Sequence, residues 1–364
     1  MIIRKAAEND LSGLVDLENR SFNYDRIDRR SFKRFLTKAH SLILVGEENN
    51  RICAYVLLLF KSNSSIARLY SIAVDSDHRN NHLGDQLAKE AEKEALLLGY
   101  IIMRMEIRLD NEASITLFTH NGYKKFGLYE NYYDDGMDAV RLQKHLRPGL
   151  IKPHGRLPYY NQTLNFTCGP SALMMAMAGL DSTYEPSQHE EISIWRESTT
   201  IFMTSGHGGC GPHGLAISAI NRGFSVRLYV HPHKTLFENS VRNPEKKKVI
   251  AIVQEEFEKR LHELNTPVTE EDFTLESIVA GLKDDEVIII LTSAWYINGE
   301  KAPHWVVINS IDEDFVWYHD PYIAHDKGVT AQECMDIPVP RKDFEKMCKY
   351  GKEGQKALLI VRRS

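Results

Sequence analysis

The sequence predicts two domains in tandem, an α/β half followed by an α+β half, and three observations carry that reading. The chain has 364 residues, and compact domains hold roughly 100 to 200. The stretch 147–158, RPGLIKPHGRLP, holds three prolines and two glycines with no apolar periodicity on which a helix or strand can build. It reads as a linker between residues 1–146 and 159–364. Before it, strand-like and helix-like segments alternate, whereas after it helices come first and strands later. With 43% hydrophobic and 26% charged residues, the chain has the composition of a globular protein, which excludes disorder and fibrous repeats. Lys+Arg 45 against Asp+Glu 50 leave a net charge of -5. No basic field gathers nucleic acid or an anionic membrane, and neither is expected as a partner.

Each element has a local cause. Asn9 or Asp10 can cap a helix whose apolar stripe is Leu11, Leu14 and Leu17. Strand-like runs follow at 41–46, 52–60 and 67–74. Leu83, Leu87, Ala91, Ala95 and Leu98 recur at helical spacing, 101–107 is a further strand, 113–119 a short helix and 139–145 a closing strand. In the second half Cys168 opens an Ala- and Met-rich helix that stops at Gly179, and a second helix spans 213–222. Strands are predicted at 224–230, 287–292, 305–311, 315–319 and 357–361, and the charged stretch 243–263 reads as the solvated face of a helix. The longest apolar runs, 52–60 and 287–291, have strand length and fall far short of a membrane span. Arg4 breaks the start of the chain, where no apolar stretch suits a signal peptide. Cys53, Cys168, Cys210, Cys334 and Cys348 are odd in number and scattered, as reduced thiols of a cytoplasmic protein are.

The first chemical constellation is RNNHLG at 79–84, between the strand ending at Val74 and the helix beginning near Leu83. A loop at such a junction presents backbone N–H groups and the positive end of a helix, which together hold a pyrophosphate without a metal. Around it stand LYSIAV at 69–74, MEIR at 105–108, NEASITLF at 111–118, NGY at 121–123 and NYY at 131–133, with Asp138 and Ala139 near the end. Through these motifs residues 2–146 resemble the GNAT acetyltransferases, especially the branch acetylating protein N-termini. The resemblance implies a GNAT fold with a mixed central sheet and acetyl-CoA as co-substrate. Backbone groups of Ile72, Ala73 and Val74 would bind the pantetheine arm and Arg79, Asn80, Asn81, His82, Leu83 and Gly84 the pyrophosphate, with Asn111 and Phe118 also at the cofactor. Two positions depart from the family. His82 stands where Gly is usual, and Phe118 replaces the usual general-acid Tyr, so it cannot protonate the departing CoA thiolate. The resemblance then implies Tyr132 or Tyr133 as the acid and Glu106 as the group assisting deprotonation of the amine.

The second constellation is QTLNFTCGPSAL at 162–173, which sets Cys168 at the start of a helix with Pro170 in its first turn. The helix dipole there favours the thiolate, the nucleophilic form. The side chain of Gln162, six residues upstream, can fold back to join the Cys168 N–H as a second donor to a developing oxyanion. His304 begins one predicted strand and Asp320 follows the next. Antiparallel pairing of the two would let them touch, supplying the base and orienter of a Cys-His-Asp triad. These residues, with CGPHGL at 210–215, HWVV at 304–307 and Asp320-Pro321, make most of 157–364 resemble the C39-like, papain-type cysteine peptidases, which implies a papain-like α+β fold. The tandem order is similar to a bacterial fusion type and implies two active sites in one chain.

The expected function is therefore bifunctional. The first half would acetylate an amine from acetyl-CoA, and the second would form an acyl-enzyme from a peptide or amide and pass the acyl group to water or to an amine. The alternative is a degenerate first half that binds CoA or a peptide for a thiol acyltransferase. His207, Cys210 and His213, with His231 and His233 nearby, are metal-compatible residue types, but flexible glycines separate them and no fourth ligand stands at zinc-finger spacing. The loop is read as lining the substrate, and no metal is expected.

Overall fold

The computed structural model describes all residues except 38–39, 61–63, 80, 148–156, 200–201, 204–205, 233–234, 298 and 326–328. The chain divides into two compact units, Met1–Leu150 and Ile151–Ser364. Most of the expected linker, and Asn80 of the expected pyrophosphate loop, lie outside the described residues.

The first unit runs β1 (Ile2–Lys5), α1 (Leu11–Ser21), α2 (Arg29–Thr37), β2 (Ser41–Glu48), β3 (Arg51–Phe60), β4 (Ile66–Val74), α3 (Leu83–Leu97), β5 (Ile102–Arg108), α4 (Glu112–His120), β6 (Lys124–Tyr129) and β7 (Ala139–His145). Its strands form one mixed sheet in the order β1-β2-β3-β4-β5-β7-β6. Alternation along β2 and β3 sorts side chains onto two faces. Ile43, Val45, Tyr55 and Leu57 join Leu14, Leu17, Phe32 and Phe35 of α1 and α2, while Leu44, Ala54, Val56 and Leu58 join Leu83, Leu87, Ala88 and Ala91 of α3. With both faces covered, β3 reads as a continuous apolar run.

The feature that positions a site is the parting of β4 and β5. They pair in parallel only at Ile66↔Ile102, Ala67↔Met103 and Arg68↔Arg104, although β4 continues to Val74 and β5 to Arg108. A bulge beside that point, where Leu57 pairs with Ser71 but Leu58 with Leu69, leaves Tyr70 as the extra residue of β4. Bulges bend a strand and increase its twist, and here one lies where the parallel ladder ends.

The second unit runs α5 (Cys168–Leu180), α6 (Gln188–Ser198), β8 (Phe202–Met203), β9 (Gly206–His207), α7 (Pro212–Asn221), β10 (Phe224–Val230), α8 (Pro244–Glu263), β11 (Val268–Glu270), α9 (Leu275–Val279), β12 (Glu286–Ser293), β13 (Pro303–Ile311), β14 (Phe315–His319), α10 (Ala331–Cys334), β15 (Ile337–Pro340), α11 (Arg341–Met347) and β16 (Ala357–Arg363). Its main sheet has the order β11-β10-β16-β12-β13-β14-β15. Odd positions of the apolar strand β12, Ile289 and Leu291, join Trp305, Val307 and Leu359 against α5 and α7. Even positions, Ile288 and Ile290, join Val306, Val316, Leu358 and Phe344 on the opposite face. Helix α5 is buried from Gly169 through Met177, as its unbroken Ala/Met composition demands. Two glycines set its neighbours: a Cβ on Gly169 would lie 3.2 Å from both Leu215 and Trp305, and one on Gly214 would lie 2.6 Å from the Ser198 Cα. The start of α5 thus lies against β13, and α7 against the end of α6. Among the described residues, no helix is long and apolar enough to cross a membrane.

Candidate active sites

In the second unit the expected triad residues meet. His304 is the second residue of β13 and Asp320 directly follows β14, its antiparallel neighbour. The His304 Nε2–H donates to Asp320 Oδ1 at 2.7 Å, and both residues are buried. Asp320 Oδ1 also accepts from Tyr322 N at 2.8 Å, and Thr292 Oγ1 donates to the His304 carbonyl at 2.9 Å. With Nε2 committed to Asp320, Nδ1 is the ring nitrogen left for Cys168, whose half-buried side chain is hydrogen-bonded to His304. Burial opposes the thiolate of Cys168, but the charge and hydrogen bond of His304 outweigh it and lower the thiol below its ordinary value. Burial likewise opposes the imidazolium, yet Asp320 first and Cys168 second hold His304 well above the usual histidine range. The arrangement is a thiol beside an imidazole that a carboxylate orients, with the shifts of both groups favouring the charged pair.

Gln162 is buried, donates Nε2–H to Leu164 O at 2.7 Å, and is tied by its backbone N–H to Pro321 O at 2.8 Å. The Nε2 group carries a second proton, while Oε1 is buried without a partner. The second thiol nearby, Cys210, is raised well above an ordinary cysteine by burial and by the negative charge of Cys168. His213 is buried at 3% exposure with no hydrogen bond at Nε2, which lies 3.9 Å from Glu258 Oε1, and burial lowers it to about 4. Among the described residues no group of three His, Cys, Asp or Glu is placed to hold a metal ion.

In the first unit, the turn into α3 adopts the left-handed conformation at its N-cap, His82, with φ 57° and ψ 14°. A conformation that glycine adopts most readily is thus held by an L-residue, whose exposed imidazole makes no capping hydrogen bond. Packing does not account for Gly84, since a Cβ there would meet only Leu117 at 3.4 Å and Val74 at 3.8 Å, ordinary contacts. Glycine there keeps the backbone at the start of α3 accessible, and first-turn amides of a helix suit a pyrophosphate. Arg79, exposed, donates Nε–H to Val74 O at 3.3 Å, Asn81 is exposed and Leu83 is buried. Ile72, Ala73 and Val74 lie on the part of β4 that β5 no longer pairs. The residues fit acetyl-CoA.

Two expected residues are engaged within the fold, and a third is held between two arginines. Asn111 caps α4, its Oδ1 accepting from Ser114 N at 3.1 Å. Phe118, 1% exposed, is packed edge-on against Tyr123 inside the core. Glu106 lies 2.7 Å from Arg68 Nε and 3.6 Å from Arg141 Nε. The other arm of Arg68 reaches Tyr132, its Nη2 donating to the phenol oxygen at 2.5 Å. The neighbouring Tyr133 packs edge-on against Tyr132 beneath the Arg108 guanidinium. Its hydroxyl has no hydrogen-bond partner among the described residues, and burial pushes it up to about 12. Arg68 and Arg141 are the residues that sequence reasoning missed. Their signal was a charged side chain within each of the apolar-patterned strands IARLYSIAV and AVRLQKH.

Comparison with known proteins agrees with the two halves. The model of the Peptidase_C39 like family matches residues 157–362, and that of the Acetyltransferase (GNAT) family matches 11–123. The chain belongs to the Peptidase_C39 like family and carries a GNAT acetyltransferase domain ahead of the matching region. An uncharacterized N-acetyltransferase, MJ1530 of Methanocaldococcus jannaschii, is 26% identical over 147 residues, covering 40% of this chain and 91% of that protein. The N-terminal acetyltransferase A complex catalytic subunit NAA10 of Arabidopsis thaliana is 33% identical over 113 residues, covering 29% and 58%. A putative [ribosomal protein bS18]-alanine N-acetyltransferase of Bacillus subtilis is 24% identical over 144 residues, covering 38% and 91%. Among solved structures, the ribosomal-protein-S18-alanine N-acetyltransferase of Escherichia coli aligns over 41% of this chain and 98% of its own at 23% identity, with a TM-score of 0.37.

The left-handed turn at His82 generates a prediction for CoA binding. Because the turn is already formed, His82→Gly should change the CoA dissociation constant by less than about threefold. An L-residue in the left-handed region costs about 1–2 kcal/mol and a β-branched one is an outlier there, so His82→Val should weaken binding roughly tenfold in calorimetry. Unchanged affinity in His82→Val would mean that the turn is not used.

Proposed function

We propose that this is a two-centre enzyme, with an acetyl-CoA-dependent N-acetyltransferase in residues 1–146 and a papain-like thiol acyl-transfer centre in 159–364, joined by a linker at 147–158 and working in the cytoplasm. The observation that carries the reading is the buried His304–Asp320 hydrogen bond of 2.7 Å with Cys168 on the other side of the ring.

At the thiol centre, Cys168 Sγ adds to the carbonyl carbon of a peptide or amide. The C–N bond breaks as His304 passes its proton to the leaving nitrogen, and Cys168 keeps the acyl group. The free N–H of Gln162 and the backbone N–H of Cys168 stabilise the oxygen on which charge develops. Water or an amine then takes the acyl group, giving up its proton to His304.

At the first centre, acetyl-CoA supplies an activated acetyl thioester. Glu106, held in place by Arg68 and Arg141, takes the proton of the incoming amine. Tyr133 donates its hydroxyl proton to the thiolate sulfur, and Tyr132, whose oxygen accepts from Arg68 while keeping its own proton, is the other candidate for that role. The acceptor proposed is the α-amine of a peptide or protein, in keeping with the relatives named for N-terminal and bS18-alanine acetylation.

Two experiments test these assignments. Intact-mass measurement after exposure to p-nitrophenyl acetate should find one acetyl group on Cys168 and none in Cys168→Ala, with Gln162→Ala slowing its formation by roughly 10²-fold. Modification of Cys53 or Cys334 instead of Cys168 would remove the nucleophile assignment. With acetyl-CoA and short peptides bearing free N-termini, Tyr133→Phe should cut turnover by roughly 10²-fold or more with little change in the KM for acetyl-CoA. A comparable loss in Tyr132→Phe alone would transfer the acid role to Tyr132.

A further inference from the structure

We infer that Glu191 positions the oxyanion side of the thiol centre, a role that rests on the reading of Cys168 as nucleophile. Glu191 lies in α6 at 0% exposure, and among the described residues no ion pair reaches it. A carboxylate buried without a cation is costly unless hydrogen bonds replace its water. Glu191 Oε1 accepts from Thr163 N at 2.8 Å and from the Thr167 hydroxyl. Its Oε2 accepts from Thr163 Oγ1 at 2.8 Å and from the Tyr160 hydroxyl at 3.0 Å.

All four donors come from one short segment, 160–167. That segment carries Gln162 and ends at Thr167, the N-cap of the helix that Cys168 begins. Its opposite side is fastened to the end of β14, where Gln162 N donates to Pro321 O at 2.8 Å and Tyr159 Oη to Asp320 O at 2.9 Å. Glu191 supplies the second anchor. The amide of Gln162 has no hold of its own outside the segment, because Oε1 is unpartnered and Nε2 donates to Leu164 O. Wherever Glu191 holds residues 160–167, it sets the direction of the remaining Gln162 N–H. The pairing of Cys168 with His304 rests on the packing of α5 against β13 and on the β13–β14 ladder, so loss of Glu191 should separate two properties that a general loss of folding would damage together.

The test uses the full chain and two probes. Iodoacetamide alkylation of Cys168 against pH reports the pair with His304, and the p-nitrophenolate burst from p-nitrophenyl acetate reports acyl transfer. In Glu191→Gln the alkylation profile should superimpose on that of the unaltered protein, while the burst rate falls at least about tenfold, a share of what loss of an oxyanion donor costs. An unchanged burst rate, or an equal fall in both readouts, overturns the inference. If Glu191→Gln fails to fold, Thr163→Val removes a single hydroxyl donor from an exposed residue. It should show the same split on a smaller scale, and an unchanged burst rate there also overturns the inference. Failure of the unaltered protein to acylate at Cys168 is a distinct result, which removes the proposed thiol chemistry and this inference with it.

Discussion

The contact on which the second half depends is the buried hydrogen bond between His304 and Asp320. An imidazolium and a thiolate placed at the edge of a protein core both lose hydration, and only their mutual attraction and a fixed carboxylate make the charged pair favourable. That requirement reaches far into the fold. It needs β13 and β14 paired so that the start of one lies near the end of the other, and it needs α5 close enough to β13 for Cys168 to reach the ring. Gly169 permits that approach, since any side chain there would press on Trp305 and Leu215 at 3.2 Å. Trp305 in turn is fixed by donating its indole N–H to Cys210 O at 3.1 Å, which ties the segment before α7 to β13.

The first half rests on a different constraint, the end of the β4–β5 ladder at Arg68 and Arg104. Past that point the edge of β4 is open to a ligand that runs alongside it, while Glu106, Arg68 and Tyr132 form a charged cluster linking β4, β5 and the loop before β7. Phe118 belongs to the core below, whereas the Tyr133 hydroxyl has no hydrogen-bond partner among the described residues. His82 holds the left-handed turn as an L-residue with its side chain exposed.

Much of this was legible in the sequence because the signals are local. Cys168 opens an Ala- and Met-rich helix, and His304 and Asp320 stand at the start of one strand and just past the end of the next, both runs rich in β-branched or aromatic residues. The sorting of β3 and β12 onto two cores follows from continuous apolar runs. Other parts were not legible. Helix α2 has nine residues with four cations and only Phe32 and Phe35 to bury, too little periodicity to stand out, and β1 has only four residues. Glu190 and Glu191 are adjacent in a helix of ordinary polar composition. Glu190 pairs with Arg222 near the surface, whereas Glu191 is fully buried, and only tertiary contacts tell them apart. The same holds for Arg68, whose partners Glu106 and Tyr132 lie 38 and 64 residues away in the chain.

The central claim is that Cys168 is held as a thiolate by His304. The most direct measurement is the ultraviolet thiolate absorbance of the full chain against pH, taken as a difference from Cys168→Ser so that the other cysteines cancel. The account predicts a thiolate signal that persists to a pH well below the free-cysteine value of about 8.5 and moves back toward it in His304→Ala. A difference signal that titrates near 8.5 in the unaltered protein, and is indifferent to His304→Ala, would contradict it.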